Sequence, residues 1–174
     1  MRLDIPGQHY LRVSCDKTWP GIVADVSSVV AAIHPTGKVF HVRGQGATVL
    51  QSNWKHWPCL LPQHGPGRKH ERPIILEPWQ REVVEAFPAD FLRGPFHSDG
   101  CRVDNWATRV VRGERRRYDY GRWQFVNASD DIRRLCAWAL DLLEIPWRRS
   151  GDRVISVSRR EAVARLDELI GLKS

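Results

Sequence analysis

Polar and apolar residues alternate from Tyr120 to Asn127, in YGRWQFVN. Tyr120, Arg122 and Gln124 would point to one side of a strand and Trp123 and Phe125 to the other, giving a polar surface and a core side. The stretch 102–111 reads as a partner strand, joined to it through Arg112-Gly113-Glu114-Arg115-Arg116-Arg117, a charged hairpin tip. Behind Ser129 the period changes. Ile132, Leu135, Cys136, Ala139, Leu142 and Leu143 recur at helical spacing, which predicts a helix from about Asp130. A short hairpin follows, with Trp147 to Arg149 and Arg153 to Val157 flanking Ser150-Gly151-Asp152. Ser158 with Glu161 then reads as a capping box opening a last helix through Leu169. Upstream, Pro78 opens a short helix over 79–86, and Pro88-Ala89-Asp90 opens a second that carries FLRGPFHSDG, residues 91–100. From residue 88 onward the predicted order is helix, two strands, helix, two strands, helix.

The first half repeats part of this plan. HYLRVS alternates like YGRWQFVN, residues 20–33 fit a helix, and 38–43 with 47–51 fit a hairpin around Gly44-Gln45-Gly46. A helix-like piece over 53–61, interrupted by Pro58, closes it. Prolines, glycines and charges gather in LPQHGPGRKHERPIILEP, as in a linker. The expected organisation is an incomplete first unit over 1–62, a linker and short helix over 63–87, and a complete unit over 88–174. The class is α+β.

Composition narrows the partners. The 174 residues carry a formal charge of +7 at pH 7, with basic residues thickest in the second half, which favours a polyanion such as nucleic acid. No run reaches the roughly 18 apolar residues of a membrane span and no signal core opens the chain, so a soluble intracellular protein is expected. The cysteines, Cys15, Cys59, Cys101 and Cys136, lie far apart, as buried reduced thiols do. His56, Cys59, His64 and His70 are possible zinc ligands at a spacing that matches no regular finger pattern.

Residues 92–100, Leu-Arg-Gly-Pro-Phe-His-Ser-Asp-Gly, resemble the nine-residue signature of the LAGLIDADG homing endonucleases. Leu92, Gly94, Ser98 in the alanine position, Asp99 and Gly100 match; Pro95 stands where the consensus has leucine, and His97 where it has its first aspartate. The predicted order of elements behind the motif is the order of that family's unit, αββαββα, with an antiparallel saddle of strands over DNA. The first half resembles a truncated second unit without its signature helix.

The resemblance implies that the face carrying Leu92, Gly94, Ser98 and Gly100 packs on another signature helix. Small residues four apart allow that close approach. Asp99 is then implied as catalytic residue and magnesium ligand, paired with a second such acid beside the scissile phosphates, where metal-bound water attacks. Because this chain has one such motif, the second helix would come from a longer native N-terminus or from a homodimer through helix 90–99, with Leu92 and Phe96 exposed beside the pairing face. The implied partner is double-stranded DNA. Arg122 and Gln124 could read base edges, and Tyr120, with Arg12 and Tyr10 in the first half, lies on a similar face. Arg115, Arg116, Arg117, Arg148 and Arg149 would hold phosphates, and Arg102 is a further expected DNA contact. The alternative is a non-catalytic DNA-binding or regulatory relative, or a degenerate remnant of such an endonuclease.

Overall fold

The computed structural model describes residues 9–65, 68 and 71–174. The chain is α+β and divides into two compact units, Met1–Pro66 with Lys173–Ser174, and Gly67–Leu172. Among the described residues, no helix is long and apolar enough to cross a membrane. His70 of the possible zinc set lies outside the described residues, and among those described no three His, Cys, Asp or Glu side chains cluster as a metal site would require.

In the larger unit, helices α3 (Pro78–Ala86) and α4 (Pro88–Ser98) precede the long strands β4 (Gly100–Val111) and β5 (Glu114–Val126). Helix α5 (Asp130–Leu142), the short strands β6 (Arg148–Gly151) and β7 (Val154–Val157), and helix α6 (Arg160–Ile170) follow. The strands form one antiparallel sheet in the order β4-β5-β7-β6. Alternation along β5 puts Trp123 and Phe125 on the inner side, where Phe96 of α4 meets both rings edge-on or tilted, at 5.5 and 5.9 Å between centroids. Leu92, Leu140 and Leu166 close the same core. Burying a side chain of this size stabilises by about 1.5–3 kcal/mol.

Ser129 caps α5, its hydroxyl accepting from Ile132 N–H, as its sequence position predicts. At α6 the predicted Ser158–Glu161 box does not form: the helix starts one residue later, behind Arg159, with no side-chain cap. Short helix α3 packs into the larger unit, with Val84 in its core. Ahead of it, Ile74 N–H donates to Asp131 at 2.8 Å, a bond that, ahead of Arg134, holds this carboxyl below its usual range. Pro95, the eighth of the eleven residues of α4, removes one hydrogen bond without ending the helix, which runs on to Ser98.

The smaller unit holds β1 (Tyr10–Asp16), α1 (Pro20–Ile33), the hairpin β2 (Val39–Arg43) and β3 (Ala47–Asn53), and a single turn, α2 (Trp57–Leu60). Its antiparallel order, β1-β3-β2, matches the β5-β7-β6 part of the larger sheet, with a helix in the same place in each chain order. The repeated alternation expected between HYLRVS and YGRWQFVN is thus a repeat of topology. Among the described residues, the smaller unit shows no counterpart of α4 and β4. Its buried apolar side chains are few, among them Cys15, Val30, Leu50 and Trp57. Beside β1 and α2 lies a cavity of about 380 Å³, lined by His9, Leu11, Trp57, Pro58, Leu61 and His64 among others. In the larger unit, α4 packs on the corresponding β5 and α6.

Candidate nucleic-acid interface

Register decides which strand residues share a face. Strands β4 and β5 turn at Arg112 and Gly113 alone, with φ of +53° and +83°, the left-handed pair that a two-residue type I′ hairpin needs. Arg115, Arg116 and Arg117 are therefore within β5 and not at the tip, and their side chains alternate. This corrects the single basic cluster expected from their adjacency. Arg116 stands opposite Arg109 on the outer side, the side away from the helices. Arg115 and Arg117 face the inner side, where Arg117 lies 5.3 Å over the Trp106 ring and pairs with Asp119 at 2.7 Å.

The outer face collects the other predicted base readers. Tyr120 stands opposite Asn105, whose amide donates to the tyrosine hydroxyl at 3.2 Å. Arg122 stands opposite Val103. Gln124 lies between Cys101 and Ser156, and Arg148 on β6 stands opposite Ser156, so one row crosses the sheet. The Nε of Arg122 and the hydroxyl of Ser156 are buried there without a hydrogen-bond partner. Arg149, one residue on, is opposite Ile155 on the inner side and 3.9 Å from Asp130. In the smaller unit Arg12 occupies a similar outward row with Gln51 and Phe40, next to Tyr10 and Asn53.

Arg102 departs most from its expected role. It lies on the inner face, opposite Trp123, and its guanidinium makes bidentate bonds to Asp167 of α6 at 3.0–3.2 Å. Those bonds raise its pKa further above the ordinary arginine value. The Trp123 indole donates to the same carboxylate at 2.6 Å. Arg102 is a fixed part of the helix–sheet junction, so the DNA contact expected of it is withdrawn.

Within the motif the structure separates core from surface. Leu92 and Phe96 are fully buried in the unit's own core, which corrects both the pairing role given to Leu92 and the expected exposure of the two. Gly94 and Ser98 are exposed on the opposite side of α4, and a Cβ on Gly94 would meet nothing within 4 Å. Gly100 is buried; a Cβ there would come within 2.6 Å of the Phe96 carbonyl oxygen. His97 donates through Nε2 to the Gly171 carbonyl at 3.2 Å, a bond between α4 and the end of α6.

Asp99 ends α4 and is exposed. One of its oxygens accepts from the Asn127 amide at 2.7 Å. Asn127 is itself buried: its N–H donates to the Arg153 carbonyl at 3.1 Å, its Oδ1 accepts from Ser129 N–H at 2.9 Å, and its carbonyl accepts from Arg133. The carboxylate is thus aimed by a fixed amide. Arg109 and Asn127 had no periodic or motif signal in the sequence; their places follow from register and from a contact 28 residues away. The chain matches no protein-family model and no curated protein.

Proposed function

We propose that this chain binds duplex DNA across the outer face of the β4-β5-β7-β6 sheet, as a relative of the LAGLIDADG homing endonucleases that contributes one acid, Asp99, to a cleavage centre completed by a second signature helix. The observation that carries the DNA reading is the row of arginines across the outer face of the sheet. Arg109, Arg116, Arg122 and Arg148 lie on the outer side against one strand acid, Glu114; the inner side also carries four arginines, but there Arg102 is paired with Asp167, Arg117 with Asp119, and Arg149 lies 3.9 Å from Asp130. Arg109 and Arg116 stand directly opposite each other, and although Arg116 lies 3.7 Å from Glu114, a phosphate between the two guanidinium groups would be held by both. A two-stranded ribbon of this kind fits a major groove.

The signature resemblance and the order αββαββα support the family reading. So does the smaller unit, whose strand order β1-β3-β2 matches the β5-β7-β6 part of the larger sheet. For cleavage the ligand set on this chain is short. Asp99 offers one free carboxylate oxygen, and magnesium in such a site needs a further carboxylate beside the substrate's phosphates. That acid would come with the second helix, from a longer N-terminus or from a second copy lying on the open face of Gly94 and Ser98. No hydrolytic step is assigned to the chain alone, and by itself it is a DNA-binding protein.

Binding should depend steeply on salt. Neutralising four or more phosphates makes log affinity fall with log salt at a slope of roughly −4. Anisotropy titrations of a labelled duplex at several salt concentrations measure that slope, and an affinity indifferent to salt would contradict the proposal.

A further inference from the structure

The exposed face of α3 carries apolar residues one turn apart. Trp79, Val83 and Phe87 are 44%, 52% and 59% exposed, and Ile75, just ahead of the helix, is 71% exposed. The helix is held beneath them: Pro78 fills its first position, Glu77 and Gln80 form a capping box, and Val84, next to Val83, is buried in the core. Side chains of this size leave on the order of 500 Å² of apolar surface exposed in one ridge, more than half of the ~800 Å² each partner gives to a stable interface. A patch of this size lies toward the upper end of what a monomer exposes and often marks an interaction site.

We infer that this ridge pairs with the same ridge of a second copy of the chain. The spacing is symmetric about Val83, so an antiparallel α3–α3 crossing with a two-fold axis at that residue sets Trp79 of each copy against Phe87 of the other. The aromatic–aromatic contacts are then made twice, and each indole N–H can stay at the rim. Ala86 flanks the ridge and allows close approach. Arg81 and Glu85 lie on the far side of the helix, where they pair with each other at 3.9 Å and Arg81 covers the Trp138 ring at 4.5 Å, so neither charge is trapped. The ridge belongs to the segment that precedes the αββαββα order, and its pairing is independent of whether the chain binds DNA.

Sedimentation velocity of the full chain, from low to high micromolar, tests the pairing, with Val83→Glu as the probe because the axis brings two introduced charges together. The expected result is a reversible dimer whose dissociation constant rises at least about tenfold in Val83→Glu. The thermal unfolding of that variant, read at low concentration, should match wild type because Val83 is half exposed. In a Cys59→Ser, Cys101→Ser background, Val83→Cys should oxidise to a covalent dimer. A chain that stays monomeric at high micromolar would overturn the inference and leave the ridge to a different partner. A dimer untouched by Val83→Glu but abolished by Gly94→Leu would also overturn it, and would move pairing to α4.

Discussion

Truncating Phe96 to alanine is expected to destabilise the larger unit by about 3–5 kcal/mol, the range for a fully buried aromatic whose cavity the surroundings cannot fill. The side chain is completely enclosed and touches Trp123 and Phe125 from α4, so its loss removes the contact that fixes the helix on the sheet. The cavity would open at the centre of the core, between elements that are themselves tied down: Trp123 by its bond to Asp167, α4 by His97 to Gly171. Little relaxation is available, which places the cost at the upper end of the range. Denaturant unfolding followed by tryptophan fluorescence measures it. A loss below about 1 kcal/mol would mean that α4 does not sit as described.

The two glycines of the motif should respond to alanine with opposite signs. Gly100 begins β4, and a Cβ there would lie 2.6 Å from the Phe96 carbonyl oxygen and 2.7 Å from its Cα, both backbone atoms of α4 that cannot swing aside. Gly100→Ala must push the helix off the sheet, at a cost of about 3 kcal/mol, the upper end of ordinary overpacking. Gly94 is in the interior of α4 and open to solvent, so Gly94→Ala adds no clash and restores helix propensity, stabilising by about 0.5–1 kcal/mol. The same unfolding titration, run at protein concentrations low enough to keep copies apart, reads both. Equal destabilisation by the two substitutions would contradict the placement of α4.

The alternation in YGRWQFVN was enough to place Trp123 and Phe125 inside and Tyr120, Arg122 and Gln124 outside, because a strand's period fixes its faces without knowledge of its partners. Ser129 could be assigned as a cap because capping is local. The failures share a cause. The faces of Arg115, Arg116 and Arg117 depend on where the hairpin turns, and three consecutive arginines look alike until the positive φ at Arg112 and Gly113 sets the register. Arg102 looked like surface because its partner, Asp167, is 65 residues away. The resemblance puts Leu92 on a pairing face, and the sequence has nothing to correct it with, because an apolar helix position says that it is buried and does not say against what. The Asn127 amide on Asp99 likewise joins two element ends that no local pattern relates.

The proposed DNA contact across the outer face is tested most directly by two triple variants that remove equal charge. The first replaces Arg109, Arg116 and Arg148 on the outer face by alanine; the second replaces Arg115, Arg117 and Arg149 on the inner side. Any effect of net charge alone is the same in both. Anisotropy titration of one labelled duplex at fixed salt should show the outer triple weakened on the order of a hundredfold, as lost phosphate contacts imply. The inner triple should stay within a few-fold of wild type. Equal losses, or the larger loss in the inner triple, would contradict binding across the outer face.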